Sequence, residues 1–106
     1  MKKITMTLAF ALFMAVSAAI AADVAIVQTN QHFAQPTITI KAGDKLIFQN
    51  QDDVKHNIIV ISPDGDSEDK GIQKPGENIE HVFTKPGVYK VRCNIHPTMK
   101  LDVTVQ

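Results

Sequence analysis

Cysteine is nearly absent from this 106-residue chain: Cys93 is its single thiol. One cysteine cannot close a disulfide within the chain. It cannot carry an iron–sulfur cluster, which takes several thiolates, and the Cys-x-x-Cys-His motif of haem attachment is missing. An excess of positive charge is also lacking. Beyond Lys2 and Lys3, eight lysines and one arginine stand against eleven carboxylates, a net charge of −2. No basic tract is present to follow a nucleic-acid backbone. No amphipathic stretch exceeds about two helical turns, and neither a repeat nor a low-complexity tract occurs. A chain of this length is too short for two hydrophobic cores, so these absences leave one small domain.

The N-terminus has the three parts of a secretory signal. Lys2 and Lys3 give a positive start, Leu8 to Val16 is an apolar run too short to span a bilayer, and Ala19-Ile20-Ala21 is a small-x-small cleavage site. The pattern predicts a signal peptide over residues 1–21 and a mature domain over 22–106, beginning at Ala22. No lipobox cysteine is present, so the exported domain is expected free in the periplasm, without stable membrane insertion. Export delivers a chain to an oxidising compartment, where small domains commonly carry disulfides. A lone thiol there needs burial or a metal to protect it, and a bound metal also helps hold a small fold that has no disulfide.

Between residues 22 and 106 the sequence alternates in short apolar runs broken by turn residues. Strands are expected at Val24 to Thr29, Thr37 to Ile40, Lys45 to Asn50, Asn57 to Ile61, Glu77 to Thr84, Val88 to Cys93 and Lys100 to Val105. Ala42-Gly43-Asp44 and Pro86-Gly87 mark turns. His32 to Pro36 reads as a link, and Gln51 to Lys55 as a polar loop. Ser62 to Gly76 reads as a solvated, mobile loop. Its carboxylates Asp64, Asp66, Glu68 and Asp69 do not make a calcium-binding EF-hand, because the required glycine position holds Asp69 and the glutamate position holds Pro75. Short strands with no helix between them predict an all-β antiparallel sandwich or barrel.

The chemistry is concentrated in Cys93-Asn94-Ile95-His96-Pro97-Thr98-Met99. If residues 1–21 are removed, Cys93 is the one cysteine and Met99 the one methionine that remain. A thiolate, an imidazole and a thioether at spacings of three and three are three ligand types of a blue-copper centre, which takes a second imidazole from elsewhere. His56, followed by Asn57 at the start of an expected strand, offers that imidazole. The heptapeptide would form a short loop at one end of the sandwich, between two strands. Thiolate and thioether are soft donors that favour copper, whereas a thioether adds little to a zinc site. The other histidines compete poorly: His81 reads as a strand-face residue and His32 as an exposed link residue. Phe83 and Tyr89 read as packing residues.

These residues resemble those of a cupredoxin of the plastocyanin, amicyanin and pseudoazurin group. The resemblance rests on His56-Asn57, on Pro86-Gly87-Val88-Tyr89 three residues before Cys93, and on Cys93-x-x-His96-x-x-Met99. The short gap between His96 and Met99 and the His96-Pro97 pair are amicyanin-like. The resemblance implies a Greek-key β-sandwich of about seven to eight strands holding one type 1 copper ion. It implies His56, Cys93 and His96 as strong equatorial ligands and Met99 as the weak axial one. Asn57 would tie the His56 strand to the cysteine loop, with its N–H near the sulfur. The chain departs from the group's pattern where Leu101 follows Lys100 and across Ser62 to Gly76.

The expected function is one-electron transfer by cycling Cu(II) and Cu(I), and not enzymatic turnover. No acid–base pair accompanies the ligands. Four histidines with no His-x-His pair are too few for the further copper ions of an oxidase. Redox proteins are the expected partners, such as a cytochrome c, a dehydrogenase or a reductase. They would dock on a monomer at His96 with Ile95, Pro97, Thr98, Phe33 and Pro36 around it. The alternative is copper handling by delivery or buffering, for which clusters of methionine or histidine would be expected.

Overall fold

Apolar and polar residues alternate most clearly in Lys45–Asn50 and Lys100–Val105, and both are strands with every second side chain buried. The computed structural model describes residues 20–106, so the expected signal segment lies, but for its last two residues, outside the described residues. Nine strands form among them, and no helix. In chain order they are β1 (Asp23–Thr29), β2 (His32–Phe33), β3 (Thr37–Ile40), β4 (Lys45–Asn50), β5 (His56–Ile61), β6 (Ser67–Gln73), β7 (Asn78–Val82), β8 (Gly87–Arg92) and β9 (Lys100–Val105). One sheet has the order β2-β1-β4-β7 and the other β3-β9-β8-β5-β6.

The core lies between the sheets. Ile26, Leu46 and Phe48 enter from the first, and Ile58, Val91, Leu101 and Val103 from the second, each at most 1% exposed. Burial of one such side chain contributes about 1.5–3 kcal/mol. Phe83 packs edge-on against Tyr89, with ring centroids 5.0 Å apart, and the Tyr89 hydroxyl donates to the Lys85 carbonyl at 2.8 Å. Both are packing residues, as expected.

Three features differ from the sequence reading. Ser62 to Gly76 is not all loop, because it contains β6, which runs antiparallel along β5 with Val60 opposite Glu68 and His56 opposite Gln73. β6 is an edge strand with the charged Glu68, Asp69 and Lys70 in its first half and one buried side chain, Gln73, and it is held by its backbone ladder and not by an apolar face. Next, the sheets are not wholly antiparallel: β1 pairs β4 in parallel, and β3 pairs β9 in parallel. A parallel pair needs a crossover connection, and the chain makes one by passing through β3 in the opposite sheet between β1 and β4. Finally, His32–Phe33 in the expected link forms β2. Phe33 is buried there, edge-on to Phe48 at 6.0 Å, and is not part of an exposed docking surface.

Strand register sets the position of the site. In the second sheet Ile59 lies opposite Arg92, and Arg92 opposite Lys100. The start of β5, the end of β8 and the start of β9 therefore meet at one end of the sandwich. His56, Cys93 and Met99 occupy those three places.

Candidate metal centre

His56 is the first residue of β5, and a bulge between Asn57 and Ile59 breaks the alternation there, so His56, Asn57 and Ile58 are all buried. Cys93 follows the last residue of β8. The chain then turns, with the Met99 N–H donating to the His96 carbonyl at 3.0 Å, and enters β9. Asn57 joins the two segments. Its backbone N–H donates to Cys93 Sγ at 3.4 Å, and its side-chain Oδ1 accepts the Asn94 N–H at 2.7 Å. Behind this end, Gln73, opposite His56, takes a hydrogen bond from Gln28 at 2.8 Å and donates to the Phe48 carbonyl at 2.9 Å. Asn50 donates to the Val54 carbonyl at 2.9 Å, which shapes the turn leading into His56.

One potential ligand atom from each of His56, Cys93 and His96 lies within 4.8 Å of the others. The two Nδ1 atoms face each other at 3.0 Å, with the rings edge-on. His56 and Cys93 are buried, His96 is partly exposed, and Met99 is fully buried at the end of the same turn. Of the four residues expected at the centre, three thus come together by their ligand atoms, and the fourth closes the loop that carries two of them.

The far side of the His56 ring has a partner that the sequence reading missed. Nε2 lies 2.6 Å from Asp52 Oδ2. With Nε2–H donated to that carboxylate, the Nδ1 lone pair is left free and points at His96. Burial pushes the Asp52 carboxyl up, but the Gln31 N–H, the His56 ring and the Asn30 N–H outweigh it and hold the group below the usual carboxylate range. The one available signal was a carboxylate four residues before His56 in a polar turn.

The donor set fits a metal, and copper in particular. Two imidazole nitrogens 3.0 Å apart can share one hydrogen or one cation, and a thiolate sulfur beside two imidazoles suits copper. The competing histidines lie outside this group. His81 sits in β7 opposite Leu46, with its ring 4.7 Å from that of Phe83. Burial, helped by Lys70 and opposed by Glu68, moves its pKa down. His32 is exposed in β2.

Comparison with known proteins gives the same answer. The family of copper binding proteins described as plastocyanin/azurin matches residues 20–106. The chain belongs to that family. It is 30% identical over 105 residues to the methylamine utilization protein MauL of Methylorubrum extorquens, covering 99% of this chain and 92% of that one. It is also similar to the solved structure of a purple cupredoxin from Nitrosopumilus maritimus, at 28% identity and a TM-score of 0.70, covering 79% of this chain and all of that one. A Cu(I) amicyanin structure, 20% identical and covering 79% of this chain and 82% of its own, shares the fold with a TM-score of 0.73. The cupredoxin fold is thereby established, and copper is the metal that the family and the donor set have in common.

Proposed function

We propose that the chain is a periplasmic electron carrier that takes up and passes on single electrons through one copper ion. His56 and His96 through their Nδ1 atoms and Cys93 through Sγ would hold the ion, with the Met99 thioether as a fourth, weaker donor. The observation that carries this reading is the convergence of two imidazole nitrogens and a thiol sulfur within 4.8 Å at the rigid end of a sandwich. Copper supplies the one-electron chemistry. The protein's share is to hold the donors still, which three converging strand ends accomplish, and to keep water from the sulfur. Cys93 is 2% exposed and its sulfur accepts the Asn57 N–H. Residues 1–21 are the export signal in this reading, and no substrate turnover is involved.

His96 is the ligand nearest solvent, and exposed Ile95, Pro97 and Thr98 surround it in sequence. This small apolar edge is the proposed docking surface for a redox partner such as a cytochrome c, a dehydrogenase or a reductase. Weak, small interfaces are typical of such encounters. Voltammetry of the copper-loaded mature chain tests the carrier role. The expected result is a reversible wave of one electron per copper, with Cu(I) retained when a copper-free acceptor protein is added. Release of Cu(I) to the acceptor without a reversible wave would replace electron transfer with copper delivery.

A further inference from the structure

Among the described residues Asp52 is the one carboxylate found against the proposed centre, and its surroundings are more specific than a surface turn requires. Its side chain is 9% exposed. Three N–H groups converge on its two oxygens: Asn30 donates to Oδ1 at 2.5 Å, Gln31 to Oδ2 at 2.9 Å, and His56 Nε2 lies 2.6 Å from Oδ2. The Asp52 N–H donates in turn to Asn50 Oδ1 at 3.0 Å, which orients the side chain.

Asn30 and Gln31 link β1 to β2 as a two-residue turn, with Thr29 opposite His32. Both have positive φ, 51° and 58°. A two-residue hairpin prefers this conformation, which Asn30 adopts readily and Gln31, with a longer side chain, only at a cost. Glycine is the ordinary second residue of such a turn, and Gln31 stands in its place. The carboxylate supplies an acceptor for both turn N–H groups, and the same two oxygens hold the ring of His56. A turn of the first sheet and a proposed ligand of the second are thus fixed by one side chain.

We infer that Asp52 is a positioning residue for the copper centre: it holds the Nε2–H of His56, fixes the tautomer and ring plane that aim Nδ1 at the metal, and biases the centre toward Cu(II) by its negative charge. This rests on the reading of His56 as a ligand. A carboxylate on the far nitrogen of a metal-bound imidazole raises ligand basicity, and loss of such a partner commonly weakens metal binding 10–100-fold. Cu(II) carries one more positive charge than Cu(I), so a fixed anion nearby stabilises it more.

The test compares the copper-loaded wild type with Asp52→Asn and with Asp44→Asn. Asparagine keeps the size of the side chain and removes the charge. Asp44 serves as the control because it also accepts two main-chain N–H groups, from Ala22 and Lys41, without touching the centre. Asp52→Asn is expected to shift the Cu(II)/Cu(I) equilibrium toward Cu(I) by about tenfold, a rise of ~59 mV for a one-electron couple, and Asp44→Asn to leave it unmoved. In the diamagnetic Cu(I) wild type, nitrogen-resolved NMR is expected to show a His56 Nε2–H protected from exchange. A wild type with a thiolate-to-copper band but an unmoved Asp52→Asn potential overturns the inference alone. A His56 Nε2–H that exchanges at solvent rates overturns it even if the variant does not fold. A wild type with no thiolate-to-copper band overturns the ligand reading as well.

Discussion

Replacing Asn57 with alanine isolates the clamp between β5 and the Cys93–Met99 loop. The side chain is 3% exposed, and its Oδ1 takes the Asn94 N–H at 2.7 Å. One hydrogen bond of this kind is worth about 0.5–1.5 kcal/mol net, and an unpaired N–H left partly buried adds to that. Asn94 itself is exposed, so water can take over its N–H and the total stays at about 1–2 kcal/mol. For a domain of this size, each 1 kcal/mol lowers Tm by about 4–8 °C. The bond from the residue 57 N–H to Cys93 Sγ is made by main chain and survives the substitution. Urea unfolding of the metal-free protein is therefore expected to show the loss, while the copper-loaded variant keeps its thiolate band and releases copper faster. An unchanged unfolding midpoint, or a vanished band at unchanged stability, would refute this account of the clamp.

Three further outcomes follow from other parts of the molecule. Gly87→Ala should destabilise by about 1–3 kcal/mol from overpacking alone, read by thermal unfolding, because the added Cβ would lie 2.5 Å from Pro63 Cγ at a φ of 139°. Asp44 is held below the usual carboxylate range by the Ala22 N–H and then the Lys41 N–H, against burial. Its contribution is thus fully present above the ordinary carboxylate pKa near 4 and lost as pH falls through the lower folded value. Asp44→Asn should flatten that acid limb of the stability curve. Pro97→Glu should slow electron exchange with a redox partner by on the order of tenfold in stopped-flow traces and leave the visible spectrum intact. An unchanged rate would remove Pro97 from the docking edge.

The heptapeptide from Cys93 to Met99 stands out in the sequence because Cys93, His96 and Met99 are uncommon donor types and lie close together. His56 was legible only with Asn57 beside it, and the register of β5 against β8 supplies the physical reason they meet Cys93. Strands β4 and β9 were read to the residue, since one face of each is buried and the alternation survives. β6 was not, because its Ser-Glu-Asp-Lys-Gly-Ile-Gln sequence carries no such alternation and the strand is held by main-chain pairing with β5. The parallel pairs β1–β4 and β3–β9 join segments far apart in sequence, and no local pattern encodes them. Phe33 looked exposed because its strand is two residues long and its partner, Phe48, lies in another element. Asp52 was hidden for a related reason. Two of its three N–H partners come from Asn30 and Gln31, which no reading of the segment around His56 would bring to it.

The most direct test of the copper centre is the visible absorption and EPR spectrum of the chain from Ala22, loaded with Cu(II), recorded beside Cys93→Ala. The account predicts an intense thiolate-to-copper charge-transfer band with a narrow copper hyperfine splitting, at one copper per chain, and the loss of both in the variant. A pale Cu(II) spectrum that is the same with and without the Cys93 sulfur would contradict it.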